Sequence, residues 1–499
     1  MQKKQTILVV ASLLVVVLSV TLAYFTAQII GKGKDVTINS ADLKIIFTDS
    51  DGSISGTNIE PGKWDVTKTF TIENKSNETY KYNIVIQDLV NTFVTEGYLQ
   101  YKITSTNGGY NMTEFKDVPK SETATDTILA YSASIDVGVT QSYTVEFIYK
   151  NDESVDQSED MGKTLSGKLF ITEGTKEPVT LLSQLLADKS TVLTRTNFNT
   201  VLTTDNTNTL YTSTEDSKTV YYFAGNATDN WVKFGKNESN QDLYWRIIRT
   251  NSDESIRLLY HGTSTTATDA VINTSTAFNT TYNDPMYVGY MYGSSNATVI
   301  DRSNTNNSTI KTIIDTWYAS NLEAKGYTKY LSTTAVYCND RSTSDNKYFG
   351  AKTRLNKADF VINTPTYDCS STEDKFTVDS STGNGKLTYP IALMTADEVA
   401  FAGGVWAENA QTWYYYNSTK GSSTGSTIWW LLSPYSWDGS NAGVCGVNGS
   451  SRPGYLGYSH LTYTNGVRPA LSLKSCVKYS TGNGTSETPY TIKETTSGC

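Results

Sequence analysis

Between Val36 and Thr172 apolar and polar residues alternate with a period of two, and this pattern limits the segment to half-buried β-strands. Tyr80, Tyr82, Ile84 and Ile86 fall on one face, with Lys81, Asn83 and Gln87 on the other. Tyr143, Val145, Phe147 and Tyr149 repeat the theme against Thr144, Glu146 and Lys150. With Leu43–Phe47, Thr69–Ile72, Leu99–Ile103, Thr127–Ile135 and Lys168–Ile171 there are about seven strands in ~140 residues, broken by Gly, Asn and Asp clusters. The expectation is an all-β antiparallel sandwich over residues 28–172. At 499 residues the chain is too long for one core, so more than one domain is required.

What precedes the sandwich sets its compartment. After Lys3 and Lys4 the run Ile7–Ala27 carries no charge and has about the ~20 residues needed to cross a bilayer. The basic N-terminus marks the cytoplasmic side, leaving everything beyond Gln28 outside. Thr21 and Ala23 are the small residues a signal peptidase requires, so residues 1–27 read as a signal peptide or, if retained, a membrane anchor. The expected location is the outer face of the cell membrane or the medium. A net charge of −9 offers no basic footprint and excludes nucleic acid as a partner. The five cysteines, all late in the chain, lack C-x-x-C spacing. The economical disulfides are Cys338 with Cys369 and Cys476 with Cys499, each worth roughly 3–4 kcal/mol, with Cys445 left over; spacing alone leaves any of the five as the odd one. Only His261 and His460 are present, which argues against His-rich metal catalysis, and no cofactor or metal is expected.

Leu22-Ala23-Tyr24-Phe25-Thr26, then Ile59-Glu60-Pro61-Gly62 and the strand ending Ile72-Glu73-Asn74, resemble the TasA/camelysin family of exported jelly-roll proteins from Gram-positive bacteria. The resemblance covers about 150 residues. It implies a structural or fibre-forming module capable of self-association. A metalloprotease activity ascribed to some members would need ligands this region lacks in histidine form, since no His precedes His261. The acidic stretch Asp152, Glu153, Asp156, Glu159 and Asp160 lacks the residue order of an EF-hand and reads as a solvated hairpin loop rather than a calcium site.

Residues 173–217 read as a linker with a short amphipathic helix around Leu181, Leu182, Leu185 and Leu186, leading to a second, α+β domain over 218–499. There Tyr244–Thr250 and Ser255–Tyr260 flank a turn and form a hairpin. Ile310, Ile313, Ile314, Trp317 and Tyr318 follow Ser308 with helical spacing and end at Gly326. A second helix opens on Thr395-Ala396-Asp397-Glu398, the spacing of a capping box, and stops at Gly403 and Gly404. Asp397 and Glu398 are therefore read as cap residues rather than a catalytic pair, and Asp315 as hydrogen-bonded rather than a general base. No phosphate loop or H-E-x-x-H occurs.

Tyr244-Trp245-Arg246-Ile247-Ile248-Arg249, Tyr337-Cys338-Asn339-Asp340-Arg341, Tyr389-Pro390 leading into Thr395, Trp429-Trp430-Leu431-Leu432-Ser433-Pro434 and Asn465-Gly466-Val467-Arg468-Pro469 resemble, in order, a domain common in surface proteins of gut Firmicutes and mollicute-like bacteria. That domain is similar to the C-type-lectin-like fold of formylglycine-generating enzymes. The resemblance implies two helices, long loops and a small twisted sheet, not catalysis. Those oxidases bind copper through paired cysteines, and here only Cys445 and Cys476 lie in the corresponding region, in no matching motif. Arg468 is expected to tie strands to a core carboxylate.

Between Pro434 and Tyr463, Tyr, Ser, Gly, Asn, Asp, Cys, Arg, His and Leu occur while Lys, Glu, Gln and Met are absent. Tyrosine gives wide contact area at small entropic cost and the small polar residues adapt their hydrogen bonds, as in antibody loops. The segment sits between the strands Ile428–Leu432 and Val467–Leu473, a rigid base for a binding loop. Position and alphabet resemble the variable region of diversity-generating retroelement targets, in which mutated Asn codons reach Tyr, Ser, Asp, Gly, His, Cys and Arg; Trp437 falls outside that set. The candidate ligand-contacting residues are Tyr435, Ser436, Asp438, Ser440, Asn441, Cys445, Asn448, Ser450, Arg452, Tyr455, Tyr458, His460 and Tyr463. His460 reads as a contact rather than a base. The resulting expectation is a non-enzymatic surface protein that presents a C-type-lectin-like head to a protein or glycan ligand, the alternatives being a biofilm-matrix fibre subunit or a formylglycine-generating-type oxidase.

Overall fold

The computed structural model describes residues 43–47, 52–57, 59–75, 79–175, 179–268, 270–294, 301–343, 347–355, 363–415 and 427–499. The uncharged run Ile7–Ala27 lies outside the described residues. Among the described residues no helix is long and apolar enough to cross a membrane. The chain divides into two units, Met1–Glu177 and Pro178–Cys499, both mostly β.

The first unit has nine strands: β1 (Leu43–Phe47), β2 (Ser53–Thr57), β3 (Asp65–Asn74), β4 (Tyr80–Asn91), β5 (Leu99–Ser105), β6 (Lys116–Asp117), β7 (Ser121–Ile135), β8 (Thr140–Tyr149) and β9 (Thr164–Glu173). They form two antiparallel sheets, ordered β1-β3-β8-β5-β6 and β2-β9-β4-β7. Both contribute to one core, in which Phe70, Tyr143, Val145 and Phe147 from one sheet meet Tyr82, Ile84 and Ile86 from the other. The Tyr82 and Tyr143 hydroxyls hydrogen-bond across this core, which satisfies polar atoms that burial would otherwise strand.

Alternation holds strictly along β8, whose Tyr143, Val145, Phe147 and Tyr149 all point inward. It fails in β4. Asn83, expected on a solvated face, is buried, and its amide donates to the Glu173 carbonyl while its side-chain oxygen accepts from the N–H groups of Ser132 and Thr175. The polar side chain is retained there because it satisfies backbone groups. The acidic loop departs from a fully solvated reading at one position. Asp160 is buried and accepts from Val94 N–H, Thr95 N–H and the Tyr149 hydroxyl.

In the second unit, part of the stretch read as a linker is structured: helix α1 (Leu181–Asp188), capped by Thr180, is followed by strands β10 (Thr191–Thr194) and β11 (Thr209–Glu215). These strands open a ten-stranded sheet that continues through β12 (Lys218–Tyr222), β13 (Trp231–Lys236), β14 (Asp242–Thr250) and β15 (Ile256–Gly262). The expected hairpin is β14–β15, antiparallel from Thr250↔Ile256. A five-stranded sheet holds β16 (Asn273–Ala277), β18 (Trp429–Trp437), β19 (Ala442–Val447), β20 (Leu456–His460) and β21 (Thr464–Val467). Between them in sequence come α2 (Thr309–Tyr318), α3 (Gly350–Leu355), β17 (Ile391–Leu393) and α4 (Ala396–Phe401). After β21, β22 (Pro469–Leu473) joins β15 to β17 in the larger sheet, and β23 (Tyr479–Thr481) and β24 (Tyr490–Ile492) complete it.

Local signals placed both long-range helices. The Ser308 hydroxyl accepts from Lys311 N–H to start α2, and Thr395 with Glu398 forms the full capping box of α4. Buried tryptophans fill the core beneath the sheets, and three have their N–H answered by a backbone carbonyl: Trp245 by Phe234, Trp413 by Phe223 and Trp430 by Thr276. Cys338 pairs with Cys369 and Cys476 with Cys499, while Cys445 is free and buried. The two disulfides point to an oxidising, extracytoplasmic setting.

Candidate ligand-binding face

Residues 434–463 build three adjacent antiparallel strands, β18, β19 and β20, with Cys445 opposite Tyr458 and Gly443 opposite His460. Pleating sends Leu456, Tyr458 and His460 to one face of β20. Tyr458 is 47% exposed and Tyr463, just beyond the strand, 60%. The His460 ring bridges them edge-on, 6.0 Å from Tyr458 and 5.4 Å from Tyr463. No described carboxylate pairs with His460, and its Nδ1 is buried without a partner among the described residues.

This aromatic ridge has a buried foundation. Tyr435 stacks on Tyr458 with ring centroids 4.2 Å apart and on Trp406 at 4.6 Å, planes nearly parallel in both cases. The Lys352 ammonium, its side chain buried, lies 5.2 Å from the Tyr435 ring. Residues 347–349 run along β18 to complete the wall, through Trp437 N–H to the Lys347 carbonyl and Phe349 N–H to the Tyr435 carbonyl.

Two of the predicted contact residues are withdrawn from the surface. Tyr435 is 7% exposed and Cys445 1%. Tyr435 turns inward because two aromatic faces and a cation fill its site. Cys445 stands opposite Tyr458 on the central strand β19, all of whose residues are buried, so neighbouring packing and not strand direction shuts it from solvent. Burial pushes its thiol far above the ordinary range.

The remaining candidates sit on the face or its two loops. Asp438, Ser440 and Asn441 form the β18–β19 turn around Gly439, with Asp438 Oδ1 accepting from the backbone N–H groups of Ser440 and Asn441. Those bonds lower the Asp438 carboxyl to about 2. Ser436 and Asn448 are half-buried at strand ends. In the β19–β20 loop Ser450 and Arg452 are exposed, and the Arg452 guanidinium covers the half-buried Tyr455 ring at 5.1 Å. Gly454 closes that loop at φ +64°, where a Cβ would stand 1.9 Å from the Ala410 carbonyl oxygen. Sequence reasoning missed Trp406 and Lys352. Both lie far from the segment in sequence, and a lone Trp after a helix-ending Gly pair carries no positional signal.

A cluster of buried charges lies elsewhere, and its members pair with one another. Glu398 Oε1 accepts from Arg249 Nε at 2.9 Å and Arg257 at 2.8 Å, its Oε2 from Thr395 N–H; Arg249 also reaches Glu215. Burial raises the Glu398 carboxyl, but Arg257 and Arg249 more than offset this and hold it below the usual carboxylate range. Arg354 makes a two-pronged pair with Asp397 and a further bond to Asp340. The space left among these groups is about 10 Å³. The expected carboxylate partner of Arg468 is replaced. Its guanidinium donates to the carbonyls of Tyr260 and Tyr414 and lies 3.3 Å from His261 Nδ1. Burial lowers it to about 9, with Arg246 adding repulsion.

Cys445 and Cys476, the late cysteines a copper oxidase would have to use, are respectively sealed in the sheet and bonded to Cys499. Comparison with known proteins finds no matching family, no matching curated protein and no matching solved structure.

Proposed function

We propose that this is an exported surface protein whose second unit binds a protein or glycan ligand without chemistry. One observation carries the reading: the exposed Tyr458–His460–Tyr463 ridge, held on a sheet whose strand β18 carries the buried Trp429 and Trp430. Exposed rings on a rigid strand offer contact area with little entropy left to lose on binding, while Ser440, Asn441, Ser450 and Arg452 at the rim supply adaptable hydrogen bonds. In this reading the first unit is a TasA/camelysin-like jelly-roll stalk, the second a C-type-lectin-like head, and residues 434–463 a region open to diversification. Concentrated variation there among close relatives, with fixed flanking strands, would support that last point.

The test uses labelled full-length protein on an array of immobilised glycans and on an array of extracellular protein domains. A specific signal that falls by about tenfold or more in the Tyr458→Ala/Tyr463→Ala variant, at unchanged melting temperature, supports the proposal. A signal indifferent to both substitutions refutes it.

A second reading has its own observation. Strand β7 ends the second sheet of the first unit, and its residues 122–126 are exposed, which presents an edge on which another copy can pair. Fibres of purified protein in electron micrographs would establish a matrix role through self-association.

A further inference from the structure

Lys189 follows α1 and Asp229 precedes β13, so this pair ties the beginning of the second unit to its main sheet. The Lys189 ammonium lies 2.6 Å from Asp229 Oδ2 and 3.0 Å from the Asp229 carbonyl oxygen, with side-chain exposures of 0% and 2%. The buried rings of Phe223 and Tyr490 face the ammonium, their centroids 5.4 and 5.7 Å away. Asp229 Oδ2 also accepts from Asn208 N–H at 2.7 Å. Asp229 Oδ1 is buried and has no hydrogen-bond partner among the described residues.

As an ion pair this arrangement is poorly served. Both charges have lost their water, and an orphaned carboxylate oxygen adds the cost of an unmade hydrogen bond. An amide between the same two side chains removes both charges and the orphaned atom together. The other elements such a reaction needs are present: an aromatic, water-excluding surround and a backbone donor aimed at the oxygen that stays.

We propose that Lys189 and Asp229 are joined by an intramolecular isopeptide bond. Proton transfer within the pair gives a neutral amine and a neutral acid. Nζ attacks Cγ, the Nζ–Cγ bond forms and the Cγ–Oδ1 bond breaks. Oδ1 leaves as water with its own proton and one from Nζ, and the second Nζ proton remains on the amide nitrogen. Oδ2 becomes the amide oxygen and keeps the Asn208 N–H, which stabilises the negative charge that gathers there during attack. The Tyr490 hydroxyl, on the ring that faces the ammonium, is itself satisfied by the half-buried Asp188 carboxylate. No oxidant or co-reactant enters.

The test is the intact mass of the full chain, purified folded, then denatured and reduced. The expected mass is lower than that of the sequence by one water, and proteolysis yields a branched peptide joining the segments that contain Lys189 and Asp229. Lys189→Arg, which keeps the charge but cannot form this bond, returns the full mass corrected for the substitution. Asp229→Asn condenses with loss of ammonia instead and reaches the same final mass as the parent. A parent chain at its full unmodified mass, with only linear peptides from these segments, overturns the proposal whether or not either variant folds.

Discussion

The rings of Tyr435 and Tyr458 stack with centroids 4.2 Å apart, yet one is sealed at 7% exposure and the other open at 47%. Together they convert core packing into surface geometry. The buried ring is clamped between Trp406 and its partner, and the partner holds an exposed face in a fixed orientation.

This division predicts unequal effects on stability. Tyr435→Ala opens a cavity beneath the sheet and costs about 3–5 kcal/mol, whereas Tyr458→Ala removes one stacking contact and costs about 1 kcal/mol. Urea unfolding of the two variants measures the difference. Equal losses are incompatible with Tyr435 serving as the foundation.

Cys445 is expected to be inert while the protein is folded. Burial pushes its thiol well up, so little thiolate forms near neutral pH, and the closed sheet blocks reagents. Iodoacetamide should label no cysteine in the native protein and one after unfolding without reductant. Rapid native labelling at Cys445 would show that β19 opens.

Much of this architecture is written locally. The alternation of Tyr143, Val145, Phe147 and Tyr149 places β8, and Ser308 and Thr395 mark the first turns of α2 and α4, because pleat and cap depend on neighbours in sequence. The disulfide pairs were likewise the ones with short loops. Asn83, Tyr435 and Arg468 were not legible. Their surroundings come from residues distant in sequence, Thr175 and Ser132 for the first, Trp406 and Lys352 for the second, Tyr260 and Tyr414 for the third. The candidate face was readable as an alphabet, but which of its tyrosines look outward is decided by packing across the sheet.

The β18–β19 turn should be sensitive to acid. The Asp438 carboxyl titrates at about 2 in the folded protein, below its usual 3.8, because Asn441 N–H and Ser440 N–H hold its charged form. A depressed carboxylate stabilises the turn above the unfolded value, and that contribution disappears as pH falls from about 4 through about 2. The Ser440 and Asn441 amide resonances, followed by NMR, should shift together over this window. In Asp438→Asn the acid-dependent shift should vanish.

The buried charge network predicts a large cost for losing one member. Glu398→Ala leaves Arg249 and Arg257 without the carboxylate oxygen they share and also removes half of the α4 capping box, a loss of about 3–5 kcal/mol. Glu398→Gln keeps an acceptor for Thr395 N–H and should lose less. Because the Glu398 pKa is lowered on folding, its contribution is complete above the unfolded value and declines as pH falls through the folded one. The gap in stability between parent and Glu398→Gln should therefore shrink in acid. A gap that stays constant from neutral pH into strong acid would mean that the network contributes no charge-dependent stability.

The Cys338–Cys369 disulfide borders the same network, since Cys338 lines the small cavity beside Arg257, Asp340 and Arg354. Its sequence separation of 31 residues corresponds to about 3–4 kcal/mol of loop-closure entropy. Replacing both cysteines by serine should lower stability by that amount. It should also loosen Asp340, which leads the chain away from Cys338 and holds Arg354 at 2.6 Å. Combining the cysteine replacements with Asp340→Asn should then give a deficit different from the sum of the two separate losses, because residues that share a local structure couple. Simple additivity in calorimetry would show that the disulfide restrains only the unfolded chain and leaves the Arg354 site to hold itself.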